Sequence, residues 1–270
     1  KLGYIDPLSG GGASVGEGGL KTFQYLADQI NAEGGLLGKK IEVVPLDNKT
    51  NPQESLIQAQ KAIDAGVRYV TQGNGSSVAG ALSDFITKFN ERIPGKEVLY
   101  FNYAAVDPVL TNDKCSFWHF RWDANSDIKM EALTNYMKDV PAIKKVYLIN
   151  QDYSFGQSVR TQARAMLAKK RPDIQIVGDE LHPLLKISDF APYVAKIKAS
   201  GADTVVTGNC GNSATDLKTF FGRLESGGIG MNISALIGHN SVRNDVMGSA
   251  NRAPTAAELD KMRALVAQGM

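Results

Sequence analysis

The sequence predicts an α/β protein of two doubly wound lobes with parallel sheets, joined by a hinge. Three observations carry this. Short apolar runs alternate with stretches whose apolar residues recur at helical spacing, and the junctions between them carry Gly, Pro, Ser or Asn. One such array is followed by a second of the same kind. Strands separated by helical crossovers imply parallel pairing, with helices on both faces of each sheet.

Leu2 to Ile5 reads as the first strand. Val15 to Glu33 follows as a helix, with Leu20, Phe23, Leu26, Ala27 and Ile30 on one face and Gly34-Gly35 as its stop. A strand over 40–46 ends at the polar turn Asp47 to Glu54, whose side chains can cap the helix expected over 52–65. Strand 68–72, helix 77–90 and strand 97–101 complete the first array. Cys115 to Trp122 is dense in aromatics and lacks helical punctuation, so it reads as the hinge strand passing between lobes. The second array comprises helix 128–138, strand 145–149, helix 155–169, strand 174–179, helix 188–199, strand 203–207, helix 212–226 and strand 232–237. The expected lobes are therefore 1–117 and 118–237. Residues 238–270 offer a capped helix at Pro254 to Met262 but no complete unit, and read as a partial return segment of an incomplete carboxy-terminal part.

With 270 residues, 43% hydrophobic and 21% charged, the chain can bury a sizeable core. The net charge is +2, and basic residues are interspersed with acidic ones. No basic stripe exists to track a phosphate backbone, so nucleic acid is not an expected partner. No window approaches the roughly 18 apolar residues of a membrane span. Cys115 and Cys210 lie far apart without a CxxC pattern and read as two free, buried thiols. His119, His182 and His239 have no metal-ligand spacing, and no serine sits in a GxSxG elbow. The expectation is a protein without metal, cofactor or catalytic chemistry.

Ligands of doubly wound domains bind beyond the carboxyl ends of the strands. The first loop, Asp6 to Gly19, includes Ser9 and opens a helix, but it has neither GxGxxG nor GxxxxGK[ST] spacing, and Glu17 would repel phosphate. It reads as a ligand-facing loop or a structural turn. Asn74-Gly75-Ser76-Ser77 places two hydroxyls and unpaired amides at a helix start, which suits a carboxylate or serves as an ordinary cap. Tyr103-Ala104-Ala105-Val106 follows the next strand, and its small residues let a ligand approach the backbone. In the second array Tyr153 and Phe155 follow one strand and Asn209 and Cys210 another; the aromatics either wall a ligand side chain or cover the sheet.

At these residues the sequence resembles the type I periplasmic solute-binding proteins of branched-chain amino acid ABC transporters, the leucine/isoleucine/valine-binding family. The resemblance covers about residues 1–237 and rests on DPLSG at 6–10, INAEGGLLGKKIEVVPLDNKTNP at 30–52, AAVDPVLT at 104–111, FWHFRWDANSD at 117–127 and DYSFGQ at 152–157. It implies a periplasmic protein, its signal peptide removed, acting as a monomer. Such a protein closes by hinge motion on a small carboxylate or amino acid and delivers it to a membrane permease. It further implies that the Ser77 hydroxyl and backbone amides of the Ala104-Ala105-Val106 loop hold the carboxylate. Val106 stands where amino-acid binders of the family often carry Thr, Phe155 where Tyr is frequent, and Cys210 where Tyr or Trp is common; no acid for an ammonium follows strand 232–237. A branched-chain or related amino acid, or an aliphatic or aromatic acid, is the expected ligand. The alternative is a ligand-sensing domain of a receptor or regulator on the same fold.

Overall fold

Alternating strands and helices build two parallel sheets in the computed structural model, which describes residues 1–187, 189–208, 246–247, 252 and 254–268, the side chains of 265–268 excepted. In the first sheet the strands β1 (Leu2–Asp6), β2 (Val43–Asp47), β3 (Tyr69–Gln72), β4 (Leu99–Asn102) and β5 (His119–Arg121) lie in the order β2-β1-β3-β4-β5, all parallel. Helices α1 (Ala13–Ala32), α2 (Pro52–Asp64) and α3 (Ser76–Arg92) make its crossovers. The second sheet has the order β7-β6-β8, with β6 (Lys145–Gln151), β7 (Gln175–His182) and β8 (Thr204–Val206), and it is served by α4 (Ser126–Lys138), α5 (Ser154–Lys170) and α6 (Ala191–Ser200). Both sheets belong to one compact unit, Lys1–Cys210. In the unit Gly211–Met270 the described helix is α7 (Ala256–Gln268), which begins with a reciprocal capping box: Glu258 Oε2 accepts from the Thr255 amide at 2.7 Å, while Thr255 Oγ1 accepts from the Glu258 amide at 3.3 Å.

Helix starts follow local chemistry. Asn51 Oδ1 accepts from the Glu54 amide at 3.0 Å with Pro52 at the first helical position, and Asn125 Oδ1 accepts from the Ile128 amide at 2.9 Å, so α2 and α4 are capped by side chains. The inward face of α3 places Val78, Leu82 and Ile86 against Ile5, Val70 and Tyr100 of the first sheet. A second cluster joins Met130 and Met137 of α4, Val159 and Leu167 of α5, and Val146 and Leu148 of β6.

Several expectations shift. The aromatic segment 115–122 was expected to cross between lobes, but His119–Arg121 pairs with β4 and forms the edge of the first sheet. The expected boundary at 117/118 thus precedes a strand of the first sheet, and the chain leaves that sheet after Arg121. The physical reason is in the strand itself: buried His119 stacks on Tyr100 at 4.7 Å, and Phe120 lies 6.0 Å from Phe101, giving β5 side-chain partners on β4. A 3-10 turn, Gly10–Gly12, precedes α1. Cys115 is exposed, contrary to the expectation of a buried thiol, because it sits in the turn ahead of β5. Helix 212–226, strand 232–237, Cys210 and His239 lie outside the described residues.

The two sheets repeat one close approach. A Cβ on Gly16, in the first turn of α1, would lie 1.7 Å from the Pro7 carbonyl oxygen, and one on Gly156, in the first turn of α5, would lie 1.9 Å from that of Gln151. In both places the first turn of a helix backs onto the chain at the end of its preceding strand or just past it, and only glycine fits. Gly156→Ala should therefore lower stability by about 1–3 kcal/mol through forced displacement of α5, measured by urea denaturation.

Candidate functional site

The carboxyl ends of β1, β3 and β4 converge on one buried carboxylate. Asp6, the last residue of β1, is fully buried. Its Oδ1 accepts from the Asn74 amide at 2.9 Å, and its Oδ2 accepts from the Gly73 amide at 3.1 Å and from the Tyr103 hydroxyl at 2.5 Å. Asn74 Nδ2 donates to Tyr103 Oη at 3.1 Å, and the Tyr4 hydroxyl donates to the Gly16 carbonyl at 2.7 Å while standing 2.9 Å from Tyr103 Oη. Burial pushes the Asp6 carboxyl up to about 6, against the hydrogen bonds from Tyr103, Asn74 and Gly73, which pull it down. Burial also raises the Tyr103 phenol, with the Asp6 charge adding to it, so Tyr103 stays a donor.

Above this brace lie the helix starts. Ser76 is buried, and its Oγ accepts from the Asp107 amide at 3.2 Å, tying the start of α3 to the loop after β4. Ser77 is exposed, and its Oγ stands 3.2 Å from the Oγ of Ser154, the first residue of α5. Neither α3, with Gly75 (φ 97°) as its N-cap, nor α5, with Tyr153 there, has a side-chain cap. Two helix N-termini, each with a hydroxyl and undercommitted amides, meet at this point. That arrangement attracts an anion.

The other expected site residues meet a variety of partners. Ser9 is exposed and donates to Asp47 Oδ2 at 2.5 Å, holding the first loop onto the end of β2. The amides of Ala104 and Ala105, expected to hold a carboxylate, are already bonded to Asn102 Oδ1, at 3.2 and 2.7 Å. Val106 is buried, and its carbonyl accepts from the Ser126 amide at 2.9 Å, anchoring α4. Tyr103 is half-buried, and its hydroxyl meets Asp6, Asn74 and Tyr4. Phe155 packs on the second core, and its ring meets Tyr153 edge-on at 6.0 Å. Asn209 and Cys210 lie outside the described residues. Sequence reasoning missed Asp6, Asn102 and Ser154. The signal for each was present: an acid or amide ending an apolar strand, and a serine opening a helix after one.

A family model for periplasmic binding proteins matches residues 1–229. The chain belongs to the periplasmic binding protein family. Among its relatives, the Leu/Ile/Val-binding protein homolog 4 of Brucella abortus (strain 2308) is 38% identical over 213 residues, covering 78% of this chain and 51% of that protein. The chain therefore spans about half the length of this relative. Among solved structures, the leucine-, isoleucine-, valine-, threonine- and alanine-binding protein from Brucella ovis, in a closed conformation, superposes with a TM-score of 0.69 at 36% identity, over 86% of this chain and 59% of that one. A solute-binding protein of an ABC transporter from Rhodopseudomonas palustris BisB5, in complex with 3,4-dihydroxy benzoic acid, shares the fold at 22% identity and a TM-score of 0.70, over 86% of this chain and 60% of that one. This periplasmic binding protein is thus similar to proteins described by what they bind.

The Asp6 brace has a pH signature. Its carboxyl is raised from 3.8 to about 6 in the folded state, so its contribution is fully present below pH 3.8 and is lost as pH rises toward 6. Stability, measured by denaturant titration, should fall across that window in the wild type. The fall should be absent in Asp6→Asn, which should be less stable throughout because an amide nitrogen cannot accept from the Gly73 or Asn74 amide.

Proposed function

We propose that this chain is the solute-capturing part of an ABC importer's binding protein. It closes two lobes on a small carboxylate-bearing solute, a branched-chain or related amino acid or an aliphatic or aromatic acid, and hands it to a membrane permease. It works in the periplasm, as a monomer, without cofactor or chemistry. The observation that carries this reading is the pairing of Ser77 with Ser154 at 3.2 Å, where the uncapped starts of α3 and α5 face one another. A carboxylate seated there would accept from both hydroxyls and from first-turn amides, and the two helix dipoles would favour its charge.

The relative that is 38% identical is named for leucine, isoleucine and valine, which supports a carboxylate beside a small apolar group. Tyr153 and Phe155, half-buried at the start of α5, supply an apolar wall for that group. Val106 offers no side-chain oxygen to an ammonium, which favours acids lacking an amino group within this class.

Thermal shift against a panel of amino acids, aliphatic acids and aromatic acids identifies the ligand. For the tightest of them, Ser77→Ala should weaken binding by about 1–3 kcal/mol in calorimetry, with Ser154→Ala similar in direction. Unchanged affinity in Ser77→Ala rejects the assigned role.

A further inference from the structure

A groove of about 490 Å³ lies beside the Ser77–Ser154 pairing, at the ends of different strands. The turn after β2 gives Lys49 and Thr50, the first loop gives Gly11, and the loops after β6 and β7 give Asp152, Leu185 and Lys186. The groove adjoins the carboxylate site: a Cβ on Gly75, the N-cap of α3, would lie 3.8 Å from Thr50 Cγ2, and Asp152 is two residues from Ser154. The two sides approach at its rim, where a Cβ on Gly11 would lie 3.4 Å from Leu185 Cβ.

Its charges are unevenly committed. Asp152 Oδ1 accepts from Gln157 Nε2 at 2.9 Å. Lys49 and Lys186, both exposed, line the groove from opposite sheets; neither is within ion-pair distance of a described carboxylate, and the nearest charge to act on Lys49 is that of Asp47. The backbone here is also held in an uncommon form. Lys49, Thr50 and Leu185 have φ of 53°, 56° and 54°, three of the four left-handed non-glycine residues among those described. The turn is kept in that form by Asp47 Oδ1 on the Lys49 amide (3.0 Å) and Asn48 Oδ1 on the Thr50 amide (3.0 Å). Such strain persists where the surroundings over-determine it.

We propose that this groove is a second anion subsite, in which Lys49 and Lys186 clamp a further carboxylate of the solute. The solute would then be a dicarboxylic acid, its first carboxylate at Ser77 and Ser154. This rests on the carboxylate reading above and narrows it. A pair of ammonium groups from opposite sheets would also draw the two sides together on the ligand.

The test is calorimetry on the full chain with succinate, glutarate and adipate, each paired with the monoacid of the same length: butyrate, pentanoate and hexanoate. At least one diacid should bind roughly tenfold or more tightly than its monoacid, as expected of a charge-assisted contact. That ratio should collapse in Lys49→Met and in Lys186→Met, and should return in Lys49→Arg. It should also shrink as sodium chloride is raised. Binding of the monoacids, weakened by Ser77→Ala, with no diacid preferred would overturn the second subsite alone. A diacid preference that survives both methionine variants would overturn it as well. Failure of all six acids to bind overturns this subsite together with the carboxylate reading for aliphatic acids.

Discussion

The ends of β1, β3 and β4 depend on one buried carboxylate. Asp6 ends β1 and accepts hydrogen bonds from the two residues that follow β3 and from the tyrosine that follows β4. Three parallel strands meet their loops at a single charged group, which fixes where α3 begins and where the loop to α4 turns. Removing that charge from water is costly, and three donors offset the cost only while the geometry holds. The same network reaches α1 through Tyr4 and the carbonyl of Gly16, the glycine that lets α1 approach Pro7. The position of Ser77 is in this sense a consequence of Asp6, although the two side chains do different work.

In the proposed function, a contrast among helix starts prepares the scaffold for a solute. Asn51 and Asn125 satisfy the first turns of α2 and α4, so those helices are finished within the fold. The starts of α1, α3, α5 and α6 have no such cap, and among them those of α3 and α5 face each other across a hydroxyl pair. A protein of this family needs its polar groups incompletely satisfied where a solute will complete them, and satisfied elsewhere. The loop after β4 shows the other side of this rule: Asn102 takes the amides of Ala104 and Ala105 for itself, leaving the hydroxyls and helix starts as the available donors.

The sheets and their order of helices were legible in the sequence because each depends on local apolar spacing and on Gly, Pro, Asn and Ser at the junctions. The site was legible only in part. Ser76 and Ser77 stood out by type and place, yet which one faces outward depends on Asp107, far along the chain, taking the Ser76 hydroxyl. The place of Tyr103 just after a strand marks it as a crevice residue, but only the folded chain brings its hydroxyl onto Asp6, nearly a hundred residues earlier. The aromatic segment around His119 has the composition of a crossing strand and of a sheet edge alike; pairing with Tyr100 and Phe101 decides between them. Long-range pairing leaves little trace in any one window of sequence.

The central claim is that a solute carboxylate completes the starts of α3 and α5. It is tested most directly by backbone amide NMR of the full chain titrated with the tightest-binding carboxylic acid of the panel. The account predicts that the amides of Ser77, Val78 and Phe155 shift together and saturate at one concentration, while those of Glu54 and Ile128, already bonded to Asn51 and Asn125, stay in place. Saturable shifts at Glu54 and Ile128 with none at Ser77, Val78 or Phe155 would contradict it.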